Sequence, residues 1–247
     1  MLQVVRSIAP QVDRMNVVLN EYEDIPEDLA TIPNVLPIIP DEDTKDVGKF
    51  YPDVSDAQYV LLVDDDIVFP DTYVRETIAR FQALGSKGFI GCYHGSVYLK
   101  EPPQPRPVKR FLRALKRSVS GAGNADATCP SARAHPADQR KVFTFSRRLD
   151  AATIVDQAGT GVTILQGSDM PEYAVMQDSQ NFVDVRLARF AFERGLVTVC
   201  LPRAKGWLKP IRYEETIYHG FTQTNPKHVD DEILTFAYKN NRVGQPL

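Results

Sequence analysis

The stretch that decides the fold is Tyr59-Val60-Leu61-Leu62-Val63-Asp64-Asp65-Asp66-Ile67-Val68-Phe69-Pro70-Asp71. Its five consecutive apolar residues, 59–63, predict a strand buried on both faces, which is typical of the helix-covered sheet of an α/β protein. Three carboxylates follow directly. If the extended geometry persists that far, side chains alternate, so Asp64 and Asp66 point to one side and Asp65 to the other.

The position of these carboxylates indicates a ligand site. Open α/β sheets bind ligands in the crevice outside the carboxyl ends of their strands. Two hard oxygen donors at such a place suit Mg²⁺ or Mn²⁺, with a phosphate completing the coordination. The residues therefore favour a metal-diphosphate site, and the alternative is a solvated acidic turn.

Length and composition limit the classes of protein that the chain can belong to. Its 247 residues are 43% apolar and 25% charged, enough for one α/β domain with a sizeable core. The net charge of −3 argues against general nucleic-acid binding. Cys92, Cys129 and Cys200 form no Cys-x-x-Cys pair, so a zinc site is not indicated and a reducing compartment, the cytoplasm, is expected. No apolar run is as long as a membrane span requires.

Apolar periodicity predicts helices and strands in alternation along one domain, 1–247. A helix is expected at 2–8, ended by Pro10, and another begins after Asp71, which we expect to be its N-cap. A glycine turn at Gly159-Thr160-Gly161 runs into a strand. The remaining predicted strands are 15–19, 35–39, 88–93, 141–145 and 197–201, and the remaining helices lie within 21–33, 182–191 and 230–238.

The composition changes between about 101 and 139, which predicts an insertion. Prolines cluster at its start, and a basic run, Lys109–Arg117, follows before Ser, Gly, Ala and Asn dominate. The basic run is compatible with an amphipathic helix that contacts an anionic membrane surface. The alternative is a solvated, mobile loop.

These pieces together resemble a nucleotide-sugar-dependent glycosyltransferase of the GT-A fold, in which an Asp-x-Asp motif ends a central strand. A closer resemblance is to the bacterial capsular α-N-acetylglucosaminyltransferases of heparosan synthesis, glycosyltransferase family 45, and it runs from Gln11 to about Leu208. The stretches that carry it are Gln11-Val12-Asp13, Leu19-Asn20-Glu21-Tyr22, Ile25-Pro26, Lys45-Asp46-Val47-Gly48-Lys49-Phe50, Asp64-Asp65-Asp66-Ile67, Arg140-Lys141-Val142-Phe143, Gly159-Thr160-Gly161 and Phe182-Val183-Asp184-Val185-Arg186.

The resemblance implies UDP-N-acetylglucosamine as donor, Mn²⁺ or Mg²⁺ as cofactor, and retention of the donor's α configuration. It places Asp66 on the metal, Asp64 on metal or ribose, and Asp65 on the nucleotide side. His219 is a candidate third metal ligand, and the alternative is an exposed histidine. Negative charge develops on UDP as the sugar-phosphate bond breaks, which is why a divalent ion is expected there.

The nucleotide side of the site is expected to include Asp46 and Lys49, and the alternative for this pair is a surface ion pair. Lys49 would offer a point charge to phosphate. Arg203 and Lys205 resemble a late basic loop that closes on the diphosphate. Trp207, which follows them, is assigned to the sugar pocket, with a core aromatic as the alternative.

Asp184 is the candidate catalytic residue. It lies on an otherwise apolar helical stretch, where burying a carboxylate is costly, so we expect it to face a cleft. In a retaining enzyme it would position the acceptor hydroxyl or stabilise the oxocarbenium-like centre, and the alternative is a helix N-terminal acid. His94 and the Gly159–Gly161 turn are expected to line the sugar pocket.

The leading hypothesis is thus a cytoplasmic UDP-sugar transferase, peripheral to the inner face of the membrane, that extends a capsular or cell-surface polysaccharide. Its partners would be the donor, an oligo- or polysaccharide acceptor and a second, polymerising glycosyltransferase, with no nucleic acid. The alternative is a catalytically silent protein of the same fold that binds a glycan or a partner transferase. An EF-hand calcium protein is excluded because the loop spacing and its terminal Glu are absent.

The chain departs from the resembling family at its beginning. In that family a strand precedes the helix that corresponds to Leu2–Ile8, whereas Met1 stands at the helix itself. We therefore expect the first strand of the sheet to be missing, which would leave one side of its neighbour unpaired.

Overall fold

A computed structural model describes residues 1–100, 139–211 and 227–247. The helices of this part of the chain are α1 (Leu2–Ile8), α2 (Glu27–Ala30), α3 (Tyr73–Gln82), α4 (Tyr173–Met176), α5 (Val183–Glu193) and α6 (Lys227–Phe236). The strands are β1 (Met15–Val18), β2 (Val35–Ile38), β3 (Tyr59–Val63), β4 (Ile67–Val68), β5 (Phe89–Cys92), β6 (Gly95–Tyr98), β7 (Arg140–Phe143), β8 (Thr153–Ile154), β9 (Gln157–Ala158), β10 (Val162–Gln166), β11 (Val197–Cys200) and β12 (Lys209–Pro210). These elements make a mixed α/β fold, as the sequence predicts.

The central sheet has five strands in the order β3-β10-β5-β11-β8. β10 runs antiparallel to both β3 and β5, whereas β5 and β11 are parallel. Two parallel strands, β1 and β2, form a separate small sheet. A third sheet has the order β7-β6-β9, and β4 pairs with β12.

Helices cover both faces of the central sheet. α5 buries Val183, Leu187 and Ala191, which recur every four residues, against one face. α1 and α3 cover the other face, which includes Ile164 of β10 and Val74 of α3. None of the helices in the described ranges combines the length and the apolar composition that a membrane crossing requires.

The prediction that β3 is buried on both faces is wrong for one of them. Val60 and Leu62 are buried, but Tyr59, Leu61 and Val63 are only half-buried. These three side chains contact the α1 and α3 side of the sheet, where a groove opens along the free edge of β3. Buried and half-buried residues alternate along β3 because this side of the strand is incompletely covered.

Two predicted element boundaries also differ. The N-cap of α3 is Thr72, not Asp71, and no side chain caps the helix by a hydrogen bond. α6 begins at Lys227, three residues before the predicted start. Of the predicted insertion at 101–139, only Gln139 lies within the described residues, where its carbonyl accepts a hydrogen bond from Leu99 N at 2.7 Å.

Candidate functional site

The acidic turn after β3 lies beside the start of β10. Because β10 is antiparallel to β3, its first residues lie next to the carboxyl end of β3. The Asp64 amide donates to the Gly161 carbonyl at 3.1 Å, which extends the ladder by one residue pair. This pairing brings the glycine turn and the aspartate run together across almost 100 residues of sequence.

Position 161 must be glycine for the Asp64 side chain to lie where it does. A Cβ atom added at Gly161 would fall 1.8 Å from Asp64 Oδ2 and 2.3 Å from Asp64 Cγ. Real Cβ atoms do not approach other atoms this closely, so the carboxylate occupies space that any other residue would fill. The glycine turn therefore leaves the space that the Asp64 carboxylate, the first of the motif, occupies.

Lys49 joins three of the predicted site segments. It lies on a 3₁₀ helix, Lys45–Phe50, and its ammonium pairs with the Asp64 carboxylate and donates to Thr160 Oγ1 at 3.3 Å. Burial alone would lower the pKa of Lys49, but the carboxylates of Asp64 and Asp184 outweigh it and raise that pKa. The Lys49 ammonium is thus kept charged by the nearby carboxylates of Asp64 and Asp184.

Asp46 connects the same 3₁₀ helix to the segment before α5. Its Oδ1 accepts a hydrogen bond of 2.6 Å from the amide of Asn181, a residue with a positive φ of 73°. Burial is the main cause that raises the pKa of Asp46, and the nearby ammonium of Lys49 opposes it. Asp46 and Lys49 are thus both half-buried, and each connects the 3₁₀ helix to a different segment of the chain.

Asp184 lies in the first turn of α5 and is half-buried. Its Oδ1 accepts a hydrogen bond of 2.8 Å from the backbone amide of Thr160. Its charge contributes to the electrostatics of both Lys49 and His94. The carboxylate is therefore a helix N-terminal acid, as one of the two readings of the sequence has it, and it also contacts the glycine turn.

His94 contacts the glycine turn at Gly159. Its carbonyl accepts a hydrogen bond of 2.8 Å from Gly159 N, and a Cβ added at Gly159 would lie 3.1 Å from the His94 side chain. Burial lowers the pKa of His94, although the Asp184 carboxylate opposes the shift. The imidazole is therefore predominantly neutral near pH 7 and able to accept or donate one hydrogen bond.

Asp65 and Asp66 lie in a turn, because the strand ends at Val63. The expectation that strand alternation places Asp64 and Asp66 on one side does not apply to a turn. Asp65 is 68% exposed, and its Oδ2 lies 3.5 Å from the amino group of Met1. The Asp66 carbonyl accepts from Ile211 N at 2.6 Å, which ties the turn to the end of β12.

The donor set of this turn fits a hard divalent cation. Although the Asp66 side chain is exposed, partial desolvation and then the charges of Asp64 and Asp65 raise its pKa, a repulsion that a bound cation would relieve. In residues 1–100, 139–211 and 227–247 no group of three or more His, Cys, Asp or Glu is arranged to hold a metal ion. Mg²⁺ is commonly held by one or two carboxylates together with substrate phosphates, so a site of that kind would need only one or two of these three side chains. His219 lies outside the described residues.

The late basic loop lies partly in the core. Arg203 is 4% exposed, and its guanidinium donates to Leu201 O at 2.9 Å and to Thr144 O at 2.8 Å. Lys205 is exposed. Trp207 packs against aromatic side chains of the α3 side, with its ring 5.0 Å from that of Tyr93, as the core-aromatic alternative predicts.

Sequence reasoning missed the residues that hold the 3₁₀ helix in place. Asn20 Oδ1 accepts from Thr44 N at 3.1 Å and from Thr44 Oγ1 at 2.7 Å, and its Nδ2 donates to the carbonyl of Lys45 at 2.9 Å. A polar residue directly after an apolar strand was the available signal. The backbone amides of Thr160 and Asn181 leave no such signal in the sequence.

No protein-family model matches this chain, and a search of curated proteins found no significant match.

Proposed function

We propose that the chain is a metal-dependent glycosyltransferase of the GT-A fold that uses a UDP-sugar donor, with UDP-N-acetylglucosamine as the first candidate. The observation that carries the proposal is the set of contacts that links Lys49 to Asp64 and Thr160, and Thr160 to Asp184, with Asp46 on the same 3₁₀ helix as Lys49. These residues come from separate segments of the chain, of which the aspartate run and Asp184 were candidates from their sequence context and the others from the family resemblance. An acidic turn without a ligand-binding role would not require a lysine paired with Asp64, a glycine that leaves room for its carboxylate and a second, half-buried acid nearby.

The acidic turn would hold Mn²⁺ or Mg²⁺ through Asp66, with Asp64 or Asp65 as a second donor. When bound, such an ion stabilises negative charge on the diphosphate leaving group. Lys49 supplies a second positive charge at the same place, and its contact with Asp64 keeps the ammonium on the cleft side of the 3₁₀ helix. The contact with Asp64 thus orients the Lys49 ammonium, which would bind a phosphate as a fixed positive charge without a proton transfer.

Asp184 is oriented by the Thr160 amide. With one oxygen held by this hydrogen bond, the carboxylate has a fixed direction, as a group that positions an acceptor hydroxyl or an oxocarbenium-like centre must have. His94, neutral near pH 7, offers a hydrogen-bonding edge next to the glycine turn, where a sugar hydroxyl would bind. Retention of the α configuration is the stereochemical outcome proposed with this assignment.

The acceptor proposed is a growing capsular or cell-surface polysaccharide at the cytoplasmic face of the membrane. A second transferase would add the alternating sugar. One observation favours the catalytically silent alternative: among the described strands, none pairs with the edges of β1 and β3 that border the groove.

The test is a panel of UDP-sugars incubated with the purified chain, Mn²⁺ and oligosaccharide acceptors, followed by mass spectrometry of the products and measurement of released UDP. Asp66→Ala should lose transfer by about 100-fold or more while keeping the fold, because it removes a metal ligand from an exposed turn. Asp71→Ala, which removes an exposed carboxylate from the same stretch, is the matched control and should leave the rate unchanged. Asp66→Ala with full Mn²⁺-dependent turnover would refute the site, and metal-dependent UDP binding without release from any donor would favour the silent alternative.

A further inference from the structure

A groove about 930 Å³ in volume lies between β1 and β3. Every residue of β1 and every residue of β3 lines it. In the described part of the chain β1 pairs only with β2, and β3 pairs only with β10. The groove is therefore bounded along its whole length by two strand edges that have no neighbour.

The two strands that bound the groove run in the same direction. At one end Arg14, just before β1, pairs with Asp56, just before β3, through an Nη2–Oδ1 contact of 2.6 Å. At the other end the 3₁₀ helix of residues 45–50 contacts both Asn20, after β1, and Asp64, after β3. The beginnings of β1 and β3 thus lie together, as do their ends.

The edge of β1 that faces the groove has unused backbone groups. Met15 N donates to Asn34 O and Leu19 N donates to Ile38 O, both at 2.8 Å, so the odd-numbered residues direct their backbone groups to β2. Because the direction alternates along a strand, Asn16 and Val18 direct theirs into the groove. Neither has a backbone partner there among the described residues.

The facing edge of β3 has the same property. Gly167 N donates to Gln58 O at 3.2 Å and Asp64 N donates to Gly161 O at 3.1 Å, so the even-numbered residues pair with β10. Leu61 and Val63 therefore turn their N–H and C=O groups to the groove, where no described residue pairs with them. The unpaired backbone donors and acceptors of β1 and β3 thus face each other across the groove.

The walls above and below these edges are mainly apolar. Val4, Val5 and Ile8 of α1 and Ile78 of α3 line one side, and Val54 lies among the lining residues ahead of β3. Backbone groups withdrawn from water nearly always find a hydrogen-bond partner, and the residues of these two edges are half-buried, so the edges favour an occupant that pairs with both. An occupant must be apolar on its faces and carry donors and acceptors at strand spacing along both edges.

We propose that this groove is a docking site for one extended peptide strand, which lies parallel to β1 and β3 and pairs with both. A polypeptide backbone presents alternate residues to its two neighbours at about 3.3 Å per residue, which matches the two rows described above. About five residues with small or β-branched apolar side chains would span β3. The two sheets then become one continuous sheet behind the acidic turn.

The test measures backbone amide exchange by NMR with the peptide Lys-Ser-Val-Ile-Val-Ala-Thr-Lys as the probe. In the free chain the amides of Leu61, Val63, Asn16 and Val18 should exchange fast, and the probe should slow them roughly tenfold or more. The amide of Leu62, already paired with β10, is the internal control and should not change. Two further probes, N-methylated at odd or at even positions, should each protect one edge and leave the other unprotected.

A fused form of the same probe keeps the proposal falsifiable if free peptide binds weakly. Met1 lines the groove, and its amino group lies beside Asp65, at the end where a strand parallel to β3 would leave. Joining the probe to Met1 through a short Gly-Ser linker gives an effective concentration on the order of 1 mM or above. Protection of both edges in the fusion supports the docking site. Unchanged exchange in the fusion overturns it, and so does equal protection by UDP with Mn²⁺ alone, which would assign the groove to a nucleotide.

Discussion

Replacement of Gly161 by alanine tests whether the glycine turn shapes the seat of Asp64. The φ of Gly161 is not in the left-handed region, so alanine brings no backbone strain and acts only through its Cβ atom. That atom would lie 1.8 Å from Asp64 Oδ2. The carboxylate must therefore leave its place, and its contact with Lys49 is lost.

The size of the effect follows from what can move. The Asp64 side chain is 41% exposed, so it can rotate into solvent and the full overpacking cost of about 1–3 kcal/mol is partly relieved. The lost ion pair adds about 0–1 kcal/mol, because it is half screened by water. We expect Gly161→Ala to lower the free energy of unfolding by about 1–2 kcal/mol.

The assay is urea unfolding of the parent, of Gly161→Ala, of Asp64→Ala and of the double variant. If the clash with the carboxylate is the cause, Gly161→Ala should cost clearly less in the Asp64→Ala background, where Cβ of residue 64, 3.0 Å away, is the nearest remaining side-chain atom. Equal costs in both backgrounds would refute the reasoning. Under the proposed function, Gly161→Ala should also weaken UDP binding in the presence of Mn²⁺, measured by calorimetry.

Further predictions concern the other charged groups. Asp184→Asn keeps an acceptor for the Thr160 amide, so transfer should be lost while UDP affinity, measured by calorimetry, stays unchanged; an equal loss of affinity would place Asp184 at the nucleotide. Burial raises the pKa of Asp156 to about 6, so the folded protein holds a proton that the unfolded chain releases, and stability should fall as pH rises from about 4 to about 6. Asp156→Asn, which keeps an acceptor for Tyr98 N, should therefore be about 1–2 kcal/mol more stable than the parent at pH 8 and no more stable at pH 3.5, by urea unfolding, and a difference independent of pH would contradict this. If Lys109–Arg117 binds an anionic membrane, association with acidic vesicles should fall steeply with salt and disappear on deletion of 104–136, whereas turnover on soluble acceptors remains.

Local sequence patterns predicted those parts of the fold that local physics decides. The apolar run of β3, the four-residue repeat of α5 and the glycine turn before β10 all lie where periodicity placed them. Each depends on side chains close in sequence. The half-exposure of Leu61 could not be predicted in this way, because it depends on a neighbouring strand edge that stays unpaired.

The candidate site, too, could be predicted only in part from the sequence. Sequence context marked Asp64 and Asp184 as candidates and the family resemblance marked Lys49, but the contacts that link them through Thr160 depend on the pairing of β3 with β10, which no short pattern encodes. The Thr160 amide that orients Asp184 was invisible, because every residue except proline has such an amide. Arg203 was predicted to lie in an accessible basic loop, but its guanidinium is buried and donates to two backbone carbonyls. The sequence does not show that an arginine in a loop has such partners.

The antiparallel pairing of β10 with β3 has a consequence for how freely the chain can vary in length. Val63 and Val162 pair directly although almost 100 residues separate them, and 101–138 lie within that interval. The entropy of closing a loop grows only with the logarithm of its length, so removing those residues would ease closure by only about 0.4 kcal/mol. Insertions and deletions between β6 and β7 are therefore almost neutral for the assembly of the cleft, and related chains can differ widely in length there while keeping Gly161 against Asp64.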